Sequence, residues 1–251
     1  MNFKNKTILI TGASSGIGHE LAKQLAEKGA HLLLLARRKS LLEELTASLP
    51  DNKNHSCFTC DVTNHQQVKE ICSRIKDTKP QIDVMFLNAG IVKDTELNPF
   101  SLNTIRQEME TNFFGAVYFV EQFLPDMLAK NKGLIVATSS LAAYSGLPKA
   151  EASSASKSAL LRFMESLQID LIKTGVNATV LTPGFIKSPI TDNFDFKLPV
   201  VVPTEKAVKK IIRQLEKGRT KISFPFILRF STFLVSLLPH TLKIWILSKT
   251  R

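Results

Sequence analysis

A single doubly wound α/β domain, a parallel sheet with helices on both faces, is the fold this sequence predicts. Three observations carry the prediction. Short apolar runs alternate with segments of helical periodicity along most of the chain. The runs are rich in Val, Ile and Leu and apolar on both faces, as strands covered on both sides must be. A chain of 251 residues suits one undivided domain of this class.

The strands are expected at Thr7–Ile10, Leu32–Leu35, His55–Cys60, Val84–Leu87, Leu134–Thr138 and Val176–Leu181, with a last one at Lys221–Phe224. Between them, Ile17, Leu21, Ala22 and Leu25 recur at helical spacing, with Gly29 placed to end that helix. Leu41–Leu49, Gln66–Ile75, Ile105–Leu128 and Ala155–Ile172 show the same period. Pro125 falls inside the fourth of these and predicts a kink there. Sustained strand–helix alternation means right-handed βαβ units, whose ligands bind beyond the carboxyl ends of the strands.

Composition narrows the function classes. Hydrophobic residues make up 44%, enough for a sizeable core. No secretory leader is expected, because the run after Asn2–Lys6 is too short for a signal core. Cys57 and Cys60 form a lone C-x-x-C inside a strand, with no second ligand pair; together with Cys72 they read as reduced thiols of a cytoplasmic protein, and no metal site is expected. The net charge is +11, and Thr204–Arg251 hold eleven Lys or Arg against two Glu. Most of the excess therefore lies in the last fifth of the chain. It accompanies apolar residues and no nucleic-acid-reading motif, so nucleic acid is not an expected partner.

The first strand ends in Thr11-Gly12-Ala13-Ser14-Ser15-Gly16-Ile17-Gly18, and a helix follows at once. Glycines there permit a tight turn and a close approach of backbone N–H groups to a pyrophosphate, and the helix N-terminus adds partial positive charge. An ordinary strand–helix turn would need neither the number nor the spacing of these glycines. The second strand ends Leu35-Ala36-Arg37-Arg38. An acid at that point would select the ribose hydroxyls of NAD; arginines suit the 2′-phosphate of NADP. The blander account of Arg37 and Arg38 is a solvated basic turn.

These motifs resemble the short-chain dehydrogenase/reductase family over Lys4 to about Ser223. Thr11–Gly18 match its T-G-x-x-x-G-x-G, Asp61-Val62 its acid–apolar pair beside the adenine, and Asn88-Ala89-Gly90 its N-A-G. Asn112 matches the asparagine of its central helix. Pro183-Gly184 match the P-G near the nicotinamide, followed by Ile186 and by Ser188 near a small hydroxyl position. The resemblance implies a Rossmann-like sheet, NADP(H) as cofactor, and hydride transfer between nicotinamide and a carbonyl or hydroxyl. The cofactor residues it implies are Gly12, Ser14, Ser15, Gly16, Ile17, Gly18, Arg37, Arg38, Asp61, Val62, Asn88, Ala89, Gly90, Lys157, Pro183, Gly184 and Ile186. It also implies a homodimer or homotetramer.

Four residues carry the chemistry in that family: a serine, a tyrosine, a lysine and an asparagine. Ser153-Ser154-Ala155-Ser156-Lys157 aligns with its Y-x-A-S-K, which makes Lys157 the lysine and Ser140 the serine, with Asn112 in place. The tyrosine position is Ser153. An aliphatic hydroxyl is too weak an acid, and too short a side chain, to replace a phenol that a neighbouring ammonium brings into a useful range. Three accounts of Ser153 stay open: an introduced substitution in a working site, a natural loss of catalysis with binding retained, or different acid–base machinery. The two tyrosines, Tyr118 and Tyr144, are expected in the core or an interface and in the pocket wall respectively.

The domain is expected to span 1–224, followed by an apolar, basic helical extension at 225–251. Phe226–Leu247 is divided by Pro239, and neither half reaches the roughly 20 apolar residues of a spanning helix. Two uses stay open for 226–247: a peripheral contact with a membrane surface, or a lid or subunit contact buried against protein. An apolar carbonyl or alcohol is the expected substrate. A non-catalytic dinucleotide-binding module acting at a membrane is the alternative.

Overall fold

The computed structural model describes residues 1–78, 81–193 and 200–249. Its frame is β1 (Thr7–Thr11), α1 (Gly16–Glu27), β2 (His31–Ala36), α2 (Lys39–Ser48), β3 (Ser56–Thr59), α3 (His65–Thr78) and β4 (Val84–Leu87). Next come α4 (Leu102–Met109), a π-helical segment (Glu110–Phe114), α5 (Gly115–Ala129), β5 (Gly133–Thr138), a 3-10 turn (Leu141–Tyr144), α6 (Glu151–Asp170) and β6 (Val176–Pro183). The short strands β7 (Phe185–Ile186) and β8 (Val201–Val202) precede α7 (Thr204–Glu216), β9 (Lys221–Phe224), α8 (Phe226–Ser236) and α9 (His240–Ser248).

Seven parallel strands lie in the order β3-β2-β1-β4-β5-β6-β9. The order reverses beside β1, so the carboxyl ends of β1 and β4 border the crevice where such sheets bind ligands. Side-chain alternation divides the core into two layers. Ile8 and Ile10 of β1 point to the layer shared with α1, α2 and α7; Leu9 points to the layer shared with α3, α5 and α6. Every residue of β4 is buried, which is why these strands read as unbroken apolar runs rather than alternating ones.

Several elements differ from the sequence reading. The single helix expected at Ile105–Leu128 is α4 and α5 joined through the π segment, and that change of ladder lies upstream of Pro125, which sits inside α5. The helix expected from Ala155 begins at Glu151, so Ser153 is in its first turn. The β7–β8 pair and α7 were not foreseen. At the end of the chain, Pro239 separates α8 from α9 by standing immediately before α9.

Candidate active site

The glycine-rich loop folds around a backbone contact. Gly12 adopts φ +68°, and a Cβ there would lie 2.8 Å from the Cα of Ala89. Only glycine combines that left-handed turn with so close an approach of the β1 and β4 loops. Thr11 ties the same ends together: its hydroxyl accepts from the N–H groups of Asn88 (2.9 Å) and Ala89 (3.1 Å). Asn88 accepts in turn from Thr138 Oγ1 at 3.2 Å, which reaches the end of β5.

Ser15 caps α1 with extended backbone, yet its hydroxyl makes no bond to the first-turn N–H groups. It accepts instead from Arg38 Nη2 at 2.8 Å, and Ser14 accepts from Arg38 Nη2 and Nε at 2.8 and 3.2 Å. The N–H groups that a helix cannot bond internally therefore face the loop beside a guanidinium, a combination suited to phosphate oxygens. Arg37 is exposed on the same turn. An open recess of about 350 Å³ lies on the Gly16 side of the loop, lined by Gly16, His19, Glu20, Lys187, Asp192 and Thr204, among others. The donor set fits the phosphates of a dinucleotide.

Asp61 and Val62 follow β3. The Asp61 carboxylate accepts from the Thr63 N–H (3.0 Å) and hydroxyl (2.8 Å), which holds the turn into α3. Val62 is buried against Gly115 at the start of α5. On the other side of the crevice, Gly184 donates its N–H to Phe224 O at 2.7 Å, and Leu228 of α8 crowds its Cα. Pro183 ends β6; Ile186, in β7, turns its side chain into the core. Ser188 donates its N–H to Thr191 Oγ1 at 2.9 Å.

Asn112 lies in the π segment, a departure from α geometry that often re-aims a side chain at a site. It is buried and fully bonded. Its Oδ1 accepts from Ile91 N at 2.8 Å, while Nδ2 lies 3.0 Å from Ile91 O, 3.0 Å from Ser156 Oγ and 3.1 Å from Glu108 Oε2. Lys157, one turn of α6 beyond Ser153, donates to Thr138 O at 2.9 Å. The two side chains converge at Gly90, where a Cβ would sit 3.1 Å from Asn112 Oδ1 and 3.2 Å from Lys157 Nζ. Ser140, at the end of β5, accepts from Ala142 N at 3.1 Å and so caps the 3-10 turn. Its neighbour Ser139 bonds Lys157 O at 2.8 Å, linking that turn to α6.

Glu108 is the residue sequence reasoning missed. It is completely buried, accepting from Lys93 N at 2.7 Å and from Asn112. Burial pushes its carboxyl up to about 6, against the hydrogen bonds and the Lys157 charge that favour ionisation. Burial also lowers Lys157 to about 8, and Glu108 opposes that shift. The signal was available: Glu108 and Asn112 stand four residues apart on one helical face.

Neither tyrosine faces Lys157. Tyr118 bonds Glu110 and stacks on His65 at 4.4 Å. Tyr144, expected in the pocket wall, has the Lys221 ammonium 5.1 Å from its ring centroid. Ser153 is buried at the position where the family resemblance puts a tyrosine. Cys60 and Cys72 are buried thiols held up near 12 by desolvation, Cys57 is a free thiol, and no metal-binding cluster is present among the described residues.

Comparison with known proteins agrees with this architecture. The family model for short chain dehydrogenases matches residues 6–198. An uncharacterized oxidoreductase of Myxococcus xanthus is 34% identical, with 94% of each chain covered. A short chain dehydrogenase of Burkholderia cenocepacia, solved in complex with NADP, is 26% identical with a TM-score of 0.84, covering 98% of this chain and 99% of its own. A short chain dehydrogenase/reductase of Burkholderia phymatum, solved with NAD, superimposes with a TM-score of 0.85 at 22% identity, covering 93% of this chain and 94% of its own. Fold, loop geometry and sequence match lead to one assignment: the chain belongs to the short-chain dehydrogenase family, nucleotide-binding oxidoreductases on a Rossmann-like sheet.

Proposed function

We propose that the chain is an NADP(H)-dependent oxidoreductase that interconverts a carbonyl and a hydroxyl on an apolar substrate, slowed by Ser153. The observation that carries the cofactor choice is Arg38. Its guanidinium is fixed by Ser14 and Ser15 at the carboxyl end of β2, where no carboxylate stands to receive ribose hydroxyls. The helix N-terminus, Ser14, Ser15 and Arg38 would hold the phosphates; Asn88–Gly90, Lys157, Pro183 and Gly184 border the nicotinamide end. The chemistry such a cofactor supplies is a hydride.

The proton is this chain's part of the reaction. Reduction of a carbonyl places a hydride on carbon and a proton on oxygen. With no phenol at position 153, Lys157 is the acid left to serve: its pKa near 8 keeps it an ammonium at neutral pH while making it a better donor than an ordinary lysine. The Thr138 carbonyl orients it, and Ser140 stands ready to donate to the same substrate oxygen. An apolar substrate is supported by Leu228 and the 3-10 turn, which put α8 beside Gly184.

Ser153 itself favours one second reading: a dinucleotide-binding module without catalysis. Titrating the chain with NADPH and with NADH, then following NADPH consumption on a carbonyl panel that includes long-chain ketones, separates the possibilities. Tighter NADPH binding with measurable turnover supports the proposal. Equal affinity for the two nucleotides overturns the cofactor choice. NADPH binding without turnover, in both this chain and Ser153→Tyr, leaves the binding module as the better account.

A further inference from the structure

The apolar surface of α8 and α9 is turned the wrong way for a helix pair that only packs on its own domain. Leu228, Thr232 and Val235 form the half-buried edge of α8, with Leu228 against Gly184. The opposite edge carries Phe226, Phe230, Phe233 and Leu237, spaced i, i+4, i+7 and i+11, and Phe226 and Leu237 are 70% and 66% exposed. An amphipathic helix on a water-facing surface shows the reverse distribution. In α9, Trp245 is 60% exposed, and no side chain of either helix is buried.

Charge indicates what would cover this face. No Asp or Glu follows Glu216, whereas Arg229, Lys243 and Lys249 lie in or beside the two helices. Lys249 stands over the Trp245 ring at 5.7 Å. A two-fold contact with a second copy would bring like charges together with no acidic partner within the patch. Anionic headgroups answer both features at once: they neutralise the basic groups while the acyl boundary takes the Phe and Trp side chains. No helix among the described residues is long and apolar enough to cross a membrane, so the contact would be along the surface.

We propose that α8 and α9 form a docking surface for an anionic lipid bilayer, with the mouth of the active site facing the membrane boundary. The connection is direct, because α8 packs on the 3-10 turn that follows Ser140 and on Gly184. A bilayer-dissolved substrate then reaches the crevice without crossing water. The docking rests on the two helices alone; substrate delivery rests in addition on the proposed reduction of an apolar carbonyl.

The test uses the full chain, the lone Trp245 as its probe, and two kinds of vesicle, phosphatidylcholine alone and phosphatidylcholine with about one third phosphatidylglycerol. Flotation with the anionic vesicles only, a blue shift of Trp245 and quenching by lipid-borne quenchers are the expected result. Arg229→Gln with Lys249→Gln should weaken anionic binding by roughly fivefold per charge removed. Phe230→Asp with Leu237→Asp should abolish it while NADPH affinity, the measure of an intact fold, stays unchanged. Absence of vesicle binding overturns the proposal. So does a stable dimer that Phe230→Asp dissociates while vesicles stay unbound, which would make the face a contact between copies. Both outcomes are independent of turnover, so failure here and failure of the proposed reaction are told apart.

Discussion

Asn112, Glu108 and Lys157 are polar groups withdrawn from water, each held by hydrogen bonds within the chain; Phe226, Leu237 and Trp245 are apolar groups left in it. The first set lies between α4, α6 and the carboxyl ends of β4 and β5. The second lies on α8 and α9, beyond the last strand. Burying an amide, a carboxyl and an ammonium is costly unless partners replace the lost water. The chain supplies those partners, from Ile91, Lys93, Thr138 and Ser156. Exposed apolar area has no such internal answer and needs a covering surface from outside the chain. The difference teaches that the active-site end is satisfied within the fold, whereas the C-terminal pair leaves open an apolar face that the proposed docking would cover.

The largest effect should come from restoring the phenol. Ser153 sits in the first turn of α6, one helical turn before Lys157 and buried with it. General acid catalysis is typically worth about 10²–10⁴-fold, and Ser153→Tyr is expected to raise NADPH-dependent turnover by a factor in that range. Steady-state kinetics of the two chains on the same carbonyl measures it. Unchanged turnover on a proven substrate would mean that another group already carries the proton, and the comparison would lose its premise that the buried set is complete but for one side chain.

A second, smaller effect tests the phosphate end. Arg38→Glu replaces a guanidinium fixed by two serines with a carboxylate where ribose hydroxyls could bind. NADPH affinity should fall roughly tenfold to a hundredfold, the worth of hydrogen bonds to a charged group, while NADH affinity holds or rises. Titration of both nucleotides against both chains reads it directly. Equal losses for the two would show that Arg38 serves the loop rather than the 2′-phosphate.

How legible each region was follows from the same physics. The strands were readable because a parallel sheet covered on both faces demands unbroken Val, Ile and Leu; β4 fell where the sequence put it, Val84–Leu87. The pair β7–β8 was not, because two residues each cannot display a period. The π segment left the apolar spacing of Ile105–Leu128 nearly intact, so one helix was expected where two meet at Asn112. The start of α6 was hidden because Ser153, Ser154 and Ser156 are buried serines, which no hydrophobic pattern marks. At the site, the glycine loop, Asn88, Asn112, Ser140 and Lys157 stood out through motif spacing. Glu108 did not, since a glutamate on a helix is usually solvated and only its partners reveal that it is buried.

Glu108 gives the smallest and sharpest prediction. Burial lowers Lys157, and the neighbouring Glu108 carboxylate raises it back; the balance stands near 8. The charges facing Glu108 are Lys157 and Lys93. Above about 6 Glu108 is ionised, so at neutral pH its charge holds the proton on Lys157. Reduction that draws its proton from Lys157 must therefore fall as pH rises through the Lys157 value. Glu108→Gln removes the opposing charge, Lys157 loses its proton at lower pH, and the alkaline limb of the rate profile moves toward neutrality. A purely structural role would lower the rate at every pH and leave that limb in place. Glu108→Asp, which restores a carboxylate on a shorter arm, should return the limb part of the way. Rates at closely spaced pH values measure the displacement. A limb that stays fixed in Glu108→Gln would separate Glu108 from the proton chemistry and leave it as the clamp between Lys93 and Asn112.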